Sequence, residues 1–217
     1  MTKDGIYKIR PEILDHKRQM LLENLSAVLG DFVLGGGTAL ALQIVHRQSF
    51  DFDFFTEKEV PRHLLEKIQR EIVVTRVSRD TVDELTFYSD NIKITILFYP
   101  FEKVFKDIQI ENKLKYFPLK TIAVQKAYTI GRRGVWRDYY DLFSILKSGF
   151  PSLKGIIQKA TDFYGAVFNP KIFLEQLVYF GDINDFEIVP INKRGIIEPE
   201  KVKSFLEKEV KKYLSGF

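Results

Sequence analysis

Three consecutive glycines, Gly35-Gly36-Gly37, separate the apolar run "DFVL" from a segment of helical period, Thr38 to about His46, with Leu40, Ile44 and Val45 inward. Glycine is a common turn residue, so the triplet by itself describes a strand-to-helix turn. A strand that ends in Gly-Gly-Gly-Thr and runs straight into a helix also frees backbone N–H groups at the helix N-terminus, where phosphate is readily held. Further on the chain reads "SFDFDFF", with thirteen residues between Gly37 and Asp51, a strict alternation expected to form a strand. Ser49, Asp51 and Asp53 then share one face, and Phe50, Phe52 and Phe54 the other, core-facing side. Two carboxylates about 7 Å apart on one strand face repel, and Asp is a poor strand former. Either this is a solvated acidic face, or a hard divalent cation resolves the conflict, its remaining positions open to water and triphosphate oxygens. A glycine turn and an Asp-x-Asp pair are each weak signals. Together they describe a nucleotide held by its triphosphate beside a metal.

The rest of the chain supplies a frame for that site. "PEILDHKRQMLLENLSAVLG" has helical spacing, with Pro11 at its start and Gly30 at its end, and "PRHLLEKIQREI" is a second such run. "VVTRVSR", "ELTFYS" and "NIKITILFYP" read as strands joined by connections short enough to be antiparallel. Beyond about Pro100 five helical segments follow, most ending at Gly, the last from Pro199 to about Leu214. The expectation is an α/β (α+β) core over residues 1–105, a small mixed sheet flanked by helices, then a helical region over 106–217.

With 217 residues, 45% of them hydrophobic, the chain can bury a sizeable core. It has no Cys, which excludes disulfides and thiolate metal sites and suits a reducing cytoplasm. The first residues, "MTKDGIYKIRPEIL", are polar and read as no signal peptide. No apolar run approaches the roughly 18–20 residues that span a bilayer. A net charge of +4 is compatible with a polyanionic partner without demanding one. The three histidines, at positions 16, 46 and 63, are too scattered for a metal site.

The helical half carries a second constellation in "LKTIAVQKAYTIGRRGVWRDYYDLFSIL". Lys126 lies in a mostly apolar helix, where a surface lysine would snorkel over its neighbours. Asp138 and Asp141 are three apart and so share a helix face. Capping and ion pairs to Arg133 or Arg137 explain Asp138 as well as chemistry does, whereas Asp141 sits too deep for a cap. Arg132, Arg133 and Arg137 either neutralise phosphate charge, grip a nucleic-acid backbone, or only balance the two acids.

"GGTALAL" followed by "HRQSFDFDFF", and then the lysine segment and "RDYYD", resembles the AbiEii/AbiGii toxin-type nucleotidyltransferases of the DNA-polymerase-β-like superfamily. The likeness runs from Leu34 to Leu146. It implies a nucleotidyltransferase fold and transfer of a nucleoside monophosphate from an NTP to an acceptor hydroxyl, with Mg²⁺ (or Mn²⁺) as cofactor. Carried over, Gly36, Gly37 and Thr38 contact phosphate, Asp51 and Asp53 hold the metal, and Ser49 matches the family's active-site serine. Lys126 reaches the triphosphate, with Arg137 beside it, and Asp138 and Asp141 act as general base or positioning groups. The resemblance implies an RNA acceptor, such as a tRNA 3′ end, a cognate antitoxin, and a role in a toxin–antitoxin or phage-defence system. One departure stands out: where superfamily enzymes often place a third carboxylate, the strand "NIKITILFYP" offers Thr95. That leaves two alternatives, an enzyme that modifies a protein hydroxyl and an inactive nucleotide- or RNA-binding module. Against the inactive module, Asp51, Asp53, Lys126 and Asp141 are expected to be unpaired charges, which a dead enzyme has no reason to keep.

Overall fold

The computed structural model describes residues 7–191 and 195–216, in two compact units, Met1–Pro118 and Leu119–Phe217. Residues 1–6, the beginning of the stretch read above as lacking a signal peptide, lie outside the described residues.

The first unit is built on a seven-stranded mixed sheet in the order β3-β4-β5-β2-β1-β7-β6. Its strands are β1 (Val33–Leu34), β2 (Phe52–Thr56), β3 (Arg76–Asp80), β4 (Glu84–Ser89), β5 (Ile92–Phe98), β6 (Gln109–Glu111) and β7 (Leu114–Tyr116). The β3-β4-β5 meander is antiparallel, as the short connections require. The β4–β5 turn puts Asp90 and Asn91 at φ 47° and 67°, the left-handed pair that suits the twist of a two-residue hairpin. β5 returns parallel to β2, and β2 is antiparallel to β1.

Period-two alternation then sorts the side chains. Phe52, Phe54, Leu85, Phe87, Ile94 and Ile96 are all at most 1% exposed and form the apolar face. Burying each such side chain contributes about 1.5–3 kcal/mol. Asp53, Thr95 and Thr86 are cross-strand partners on the opposite face. α1 (His16–Leu29) and α3 (Leu64–Glu71) pack against each other and bury Leu21, Leu25, Leu64 and Ile68.

Three details differ from the sequence reading. Pro11–Ile13 is a separate 3-10 turn, and α1 begins after Asp15, whose carboxylate accepts the Arg18 amide at 2.9 Å. The alternating strand starts at Phe52 rather than Ser49, so Phe50 leaves the core face and lies 38% exposed under the Arg18 guanidinium. The β6–β7 hairpin was not anticipated. Because β7 pairs parallel with β1, residues 106–118 group with the sheet, and the first unit extends to Pro118 rather than 105.

Among the described residues the second unit has five α-helices at the five expected segments: α4 (Leu119–Ile130), α5 (Trp136–Lys147), α6 (Leu153–Tyr164), α7 (Pro170–Leu177) and α8 (Pro199–Leu214). α4 packs against α5, α6 and α7. It is therefore buried nearly all round, from Leu119 to Ile130, and Lys126 has no wet face to reach. Among the described residues, no helix is long and apolar enough to cross a membrane.

Candidate active site

Leu34 leads out of β1 into Gly35, whose amide donates to the Asp53 carbonyl at 2.9 Å and so ties the turn to β2. Gly36 then takes φ +63°, a left-handed conformation that costs an L-residue about 1–2 kcal/mol. A Cβ there would also stand 2.5 Å from Asp53 Oδ2. The glycine is thus required twice, by its backbone and by the carboxylate pressed against it. α2 (Gly36–Ile44) begins here with no side-chain cap. Its first intrahelical bond runs from the Ala39 amide to the Gly35 carbonyl, so the amides of Gly36, Gly37 and Thr38 precede the ladder. Unladdered amides and the positive end of a helix dipole, adjacent to a carboxylate pair, suit an anion that arrives with a cation.

Thr38 does more than turn the chain. Its hydroxyl is 1% exposed; it donates to the Asp51 carbonyl and shares a 2.9 Å hydrogen bond with the Ser49 hydroxyl. This latch fixes the start of the acidic strand on the first turn of α2. Ser49 is therefore where the sequence places it, beside the aspartates, but in the loop before the strand.

Arg47 takes a place that nothing in the sequence pattern announces. α2 stops at Ile44, Val45 adopts φ 55°, and the chain doubles back. The Arg47 guanidinium, 4% exposed, returns to the opposite end of the helix, where Nη2 would lie 2.6 Å from a Cβ on Gly37. It donates to the Gln48 carbonyl at 2.8 Å. A buried guanidinium at the glycine turn adds fixed positive charge to the cradle.

The donor set suits a hard divalent cation: two carboxylates at i and i+2 with oxygen ligands only. Asp53 is in register with Thr95 on β5, and the Thr95 hydroxyl is 5% exposed with no hydrogen-bond partner. An orphaned buried hydroxyl costs about 1–3 kcal/mol, so an oxygen ligand beside it would be retained. Among the described residues no cluster of three His, Cys, Asp or Glu side chains assembles. A cation here would take two protein carboxylates and complete its shell with water and phosphate oxygens.

The second constellation is internal to the helical unit. Lys126 Nζ lies 2.7 Å from Asp138 Oδ1 and 2.6 Å from Asp141 Oδ2, and Arg133 grips the other Asp138 oxygen at 3.0 Å. Lys126, Asp138 and Asp141 are buried, whereas Arg133 is mostly exposed. Burial works against the Lys126 ammonium, but the Asp141 and Asp138 carboxylates outweigh it and hold its pKa above the ordinary value. The expectation that Lys126 and Asp141 stand unpaired is corrected: they answer each other, because α4 offers no solvent to either. The three arginines divide. Arg132 lies 3.5 Å over the Tyr128 ring and donates to the Val167 carbonyl, Arg133 balances Asp138, and Arg137 points to solvent.

A glycine turn opens a buried helix, with Asp53 on the adjoining strand of a mixed sheet and Asp51 just before it. Over residues 20–215 the sequence matches the family described as nucleotidyl transferase AbiEii toxin, type IV toxin–antitoxin system, and the chain belongs to that family. An uncharacterized protein of Aquifex aeolicus (strain VF5) is 34% identical over 198 residues, which cover 87% of this chain and 91% of that protein. Two solved structures share the fold. One, described as a nucleotidyltransferase from H. pylori, has a TM-score of 0.57 at 19% identity, covering 94% of this chain and 97% of its own. The other, the nucleotidyltransferase toxin MenT4 of Mycobacterium tuberculosis H37Rv, has a TM-score of 0.54 at 16% identity, covering 88% and 82%. The chain is an enzyme of the nucleotidyltransferase class, in a family of toxins whose substrate is a nucleoside triphosphate.

Proposed function

We propose that this chain moves a nucleoside monophosphate from an NTP to a hydroxyl of RNA, a tRNA 3′ end being the favoured acceptor, with Mg²⁺ held by Asp51 and Asp53. The single observation that carries the reading is the contact between Gly36 and the Asp53 carboxylate, since it joins a phosphate cradle to a cation-binding pair. The amides of Gly36, Gly37 and Thr38 receive the triphosphate, and Arg47 adds positive charge where the leaving pyrophosphate gathers negative charge. Ser49 and Thr38 hold the acid strand in place. Bound Mg²⁺ supplies polarisation of the α-phosphate and a lower pKa for the attacking hydroxyl. In the helical unit Lys126 and Arg137 are the cations assigned to phosphate, and Asp138 and Asp141 position the lysine. The acceptor's P–O bond forms at the α-phosphorus as the bond to the β-phosphate oxygen breaks, and the hydroxyl proton passes to a neighbouring base. A cytoplasmic toxin of this kind, countered by a cognate antitoxin and serving in phage defence, fits a cysteine-free chain of this family.

The position of a radioactive phosphate tests the reaction class. With total RNA and Mg²⁺, label from the α-position of the NTP should enter RNA, and label from the γ-position should leave as pyrophosphate. Transfer of the γ-label to RNA or protein would make the enzyme a kinase and refute the proposal. Incorporation of the α-label into added cell protein instead of RNA would establish the protein-modifying alternative.

A further inference from the structure

The sheet face that carries Asp53 continues, strand by strand, to an exposed basic edge. One cross-strand row runs Asp53–Thr95–Thr86–Arg79, and the next runs Lys93–Tyr88–Arg76 from β5 to β3. Every residue of β3 is exposed. The Arg76 guanidinium lies 3.9 Å over the Tyr88 ring, which holds ring and cation together on the surface. Arg79 is neutralised by Glu84 at 3.2 Å. Among the described residues, neither Arg76 nor Lys93 has a carboxylate partner. Three strand spacings of about 4.8 Å separate β2 from β3, so the path from the acid pair to Arg76 is about 14 Å.

We propose that this face, Lys93, Tyr88 and Arg76, holds the single-stranded end of the RNA acceptor, leading its terminal hydroxyl toward Asp51 and Asp53. The inference rests on the nucleotidyltransfer reading above and names where its acceptor lies. Two uncompensated cations bracketing an aromatic ring are the elements that bind single strands, phosphates to the charges and a base to the ring. Protection of an edge strand accounts for charges on β3. It does not account for Lys93, two strands further in and in line with the aspartates.

Removing two phosphate contacts from single-strand binding should flatten the dependence of log K on log salt by about 1.4. The test is fluorescence anisotropy of a labelled single-stranded RNA with the full chain and its Arg76→Ala/Lys93→Ala variant, between 50 and 200 mM salt, alongside NTP affinity. The expected result is about tenfold weaker RNA binding at 50 mM salt, the flatter slope, and NTP affinity unchanged within twofold. A control variant, Lys208→Ala/Lys212→Ala, removes the same charge from exposed positions on α8 and should leave RNA binding alone. Unchanged binding and slope in the first variant, or an equal loss in the control, would overturn the assignment. RNA binding that depends on Arg76 and Lys93, in a wild-type protein that transfers no label, would uphold the surface and sink the transfer reading instead.

Discussion

Lys126→Ala should destabilise the helical unit by about 3–5 kcal/mol, read as a fall in the denaturant midpoint. The substitution leaves Asp138 and Asp141 buried, 3% and 0% exposed by side chain, facing each other without the ammonium between them. Since whole domains are stable by only about 5–15 kcal/mol, this is a large fraction of the total. Replacing all three as Lys126→Met/Asp138→Leu/Asp141→Leu should recover most of the loss, because a fully apolar core avoids the desolvation of the ions. The activity of that triple variant then measures what the charges do for catalysis, freed from their effect on folding. The same pairing gives a pH signature. The Lys126 pKa is raised in the folded state, so its contribution is complete below the unfolded value of about 10.4 and is lost as pH rises through the folded value. Tyr139, pushed up to about 12 by burial and the Asp138 charge, adds to the fall in that alkaline window. A Lys126→Ala protein within 1 kcal/mol of wild type would contradict this account of the cluster.

Gly36→Ala should reduce turnover by about 100-fold or more while lowering stability by only about 1–2 kcal/mol. The new methyl group would fall 2.5 Å from Asp53 Oδ2 and 3.3 Å from its Cγ, so the carboxylate must swing away. A shift on the order of 1 Å at a cation ligand is enough for such a loss. Steady-state kinetics beside a melting curve separates the two effects. A variant with activity within threefold of wild type would mean that Asp53 does not need the position it occupies.

Where periodicity decides a structure, the sequence was sufficient. Alternation located β4 and β5, and 3.6-residue spacing located α4 to α8, since burial of a stripe or a face is written directly into residue order. The β6–β7 hairpin escaped because its strands have three residues each and its turn places Asn112 and Lys113 at positive φ without a glycine. Strict alternation puts Phe50 on the core face, but the chain does not take up the strand until β2 begins at Phe52. At the site, the glycine turn and the strand placement of Asp53 and Thr95 are legible, because the register follows from period two, whereas Asp51 falls just before the strand. The Arg47 return and the Lys126–Asp138–Asp141 pairing were not. Both depend on chain reversals that bring distant residues together, one across the length of α2 and the other between α4 and α5. Arg47 lies ten residues beyond the Gly37 it touches, and nothing in the order of residues between them announces the left-handed Val45 that sends it back.

The most direct test of the central claim is incubation with each α-labelled NTP in turn, Mg²⁺ and total RNA, with the Asp51→Ala/Asp53→Ala double variant in parallel. The account predicts label in a discrete RNA band with a preferred NTP, and a loss of at least about 1,000-fold in the variant. Label in RNA that survives loss of both aspartates, in a folded variant, would place the chemistry elsewhere. No label from any NTP, with nucleotide binding intact, would make the chain a binding module and contradict the claim.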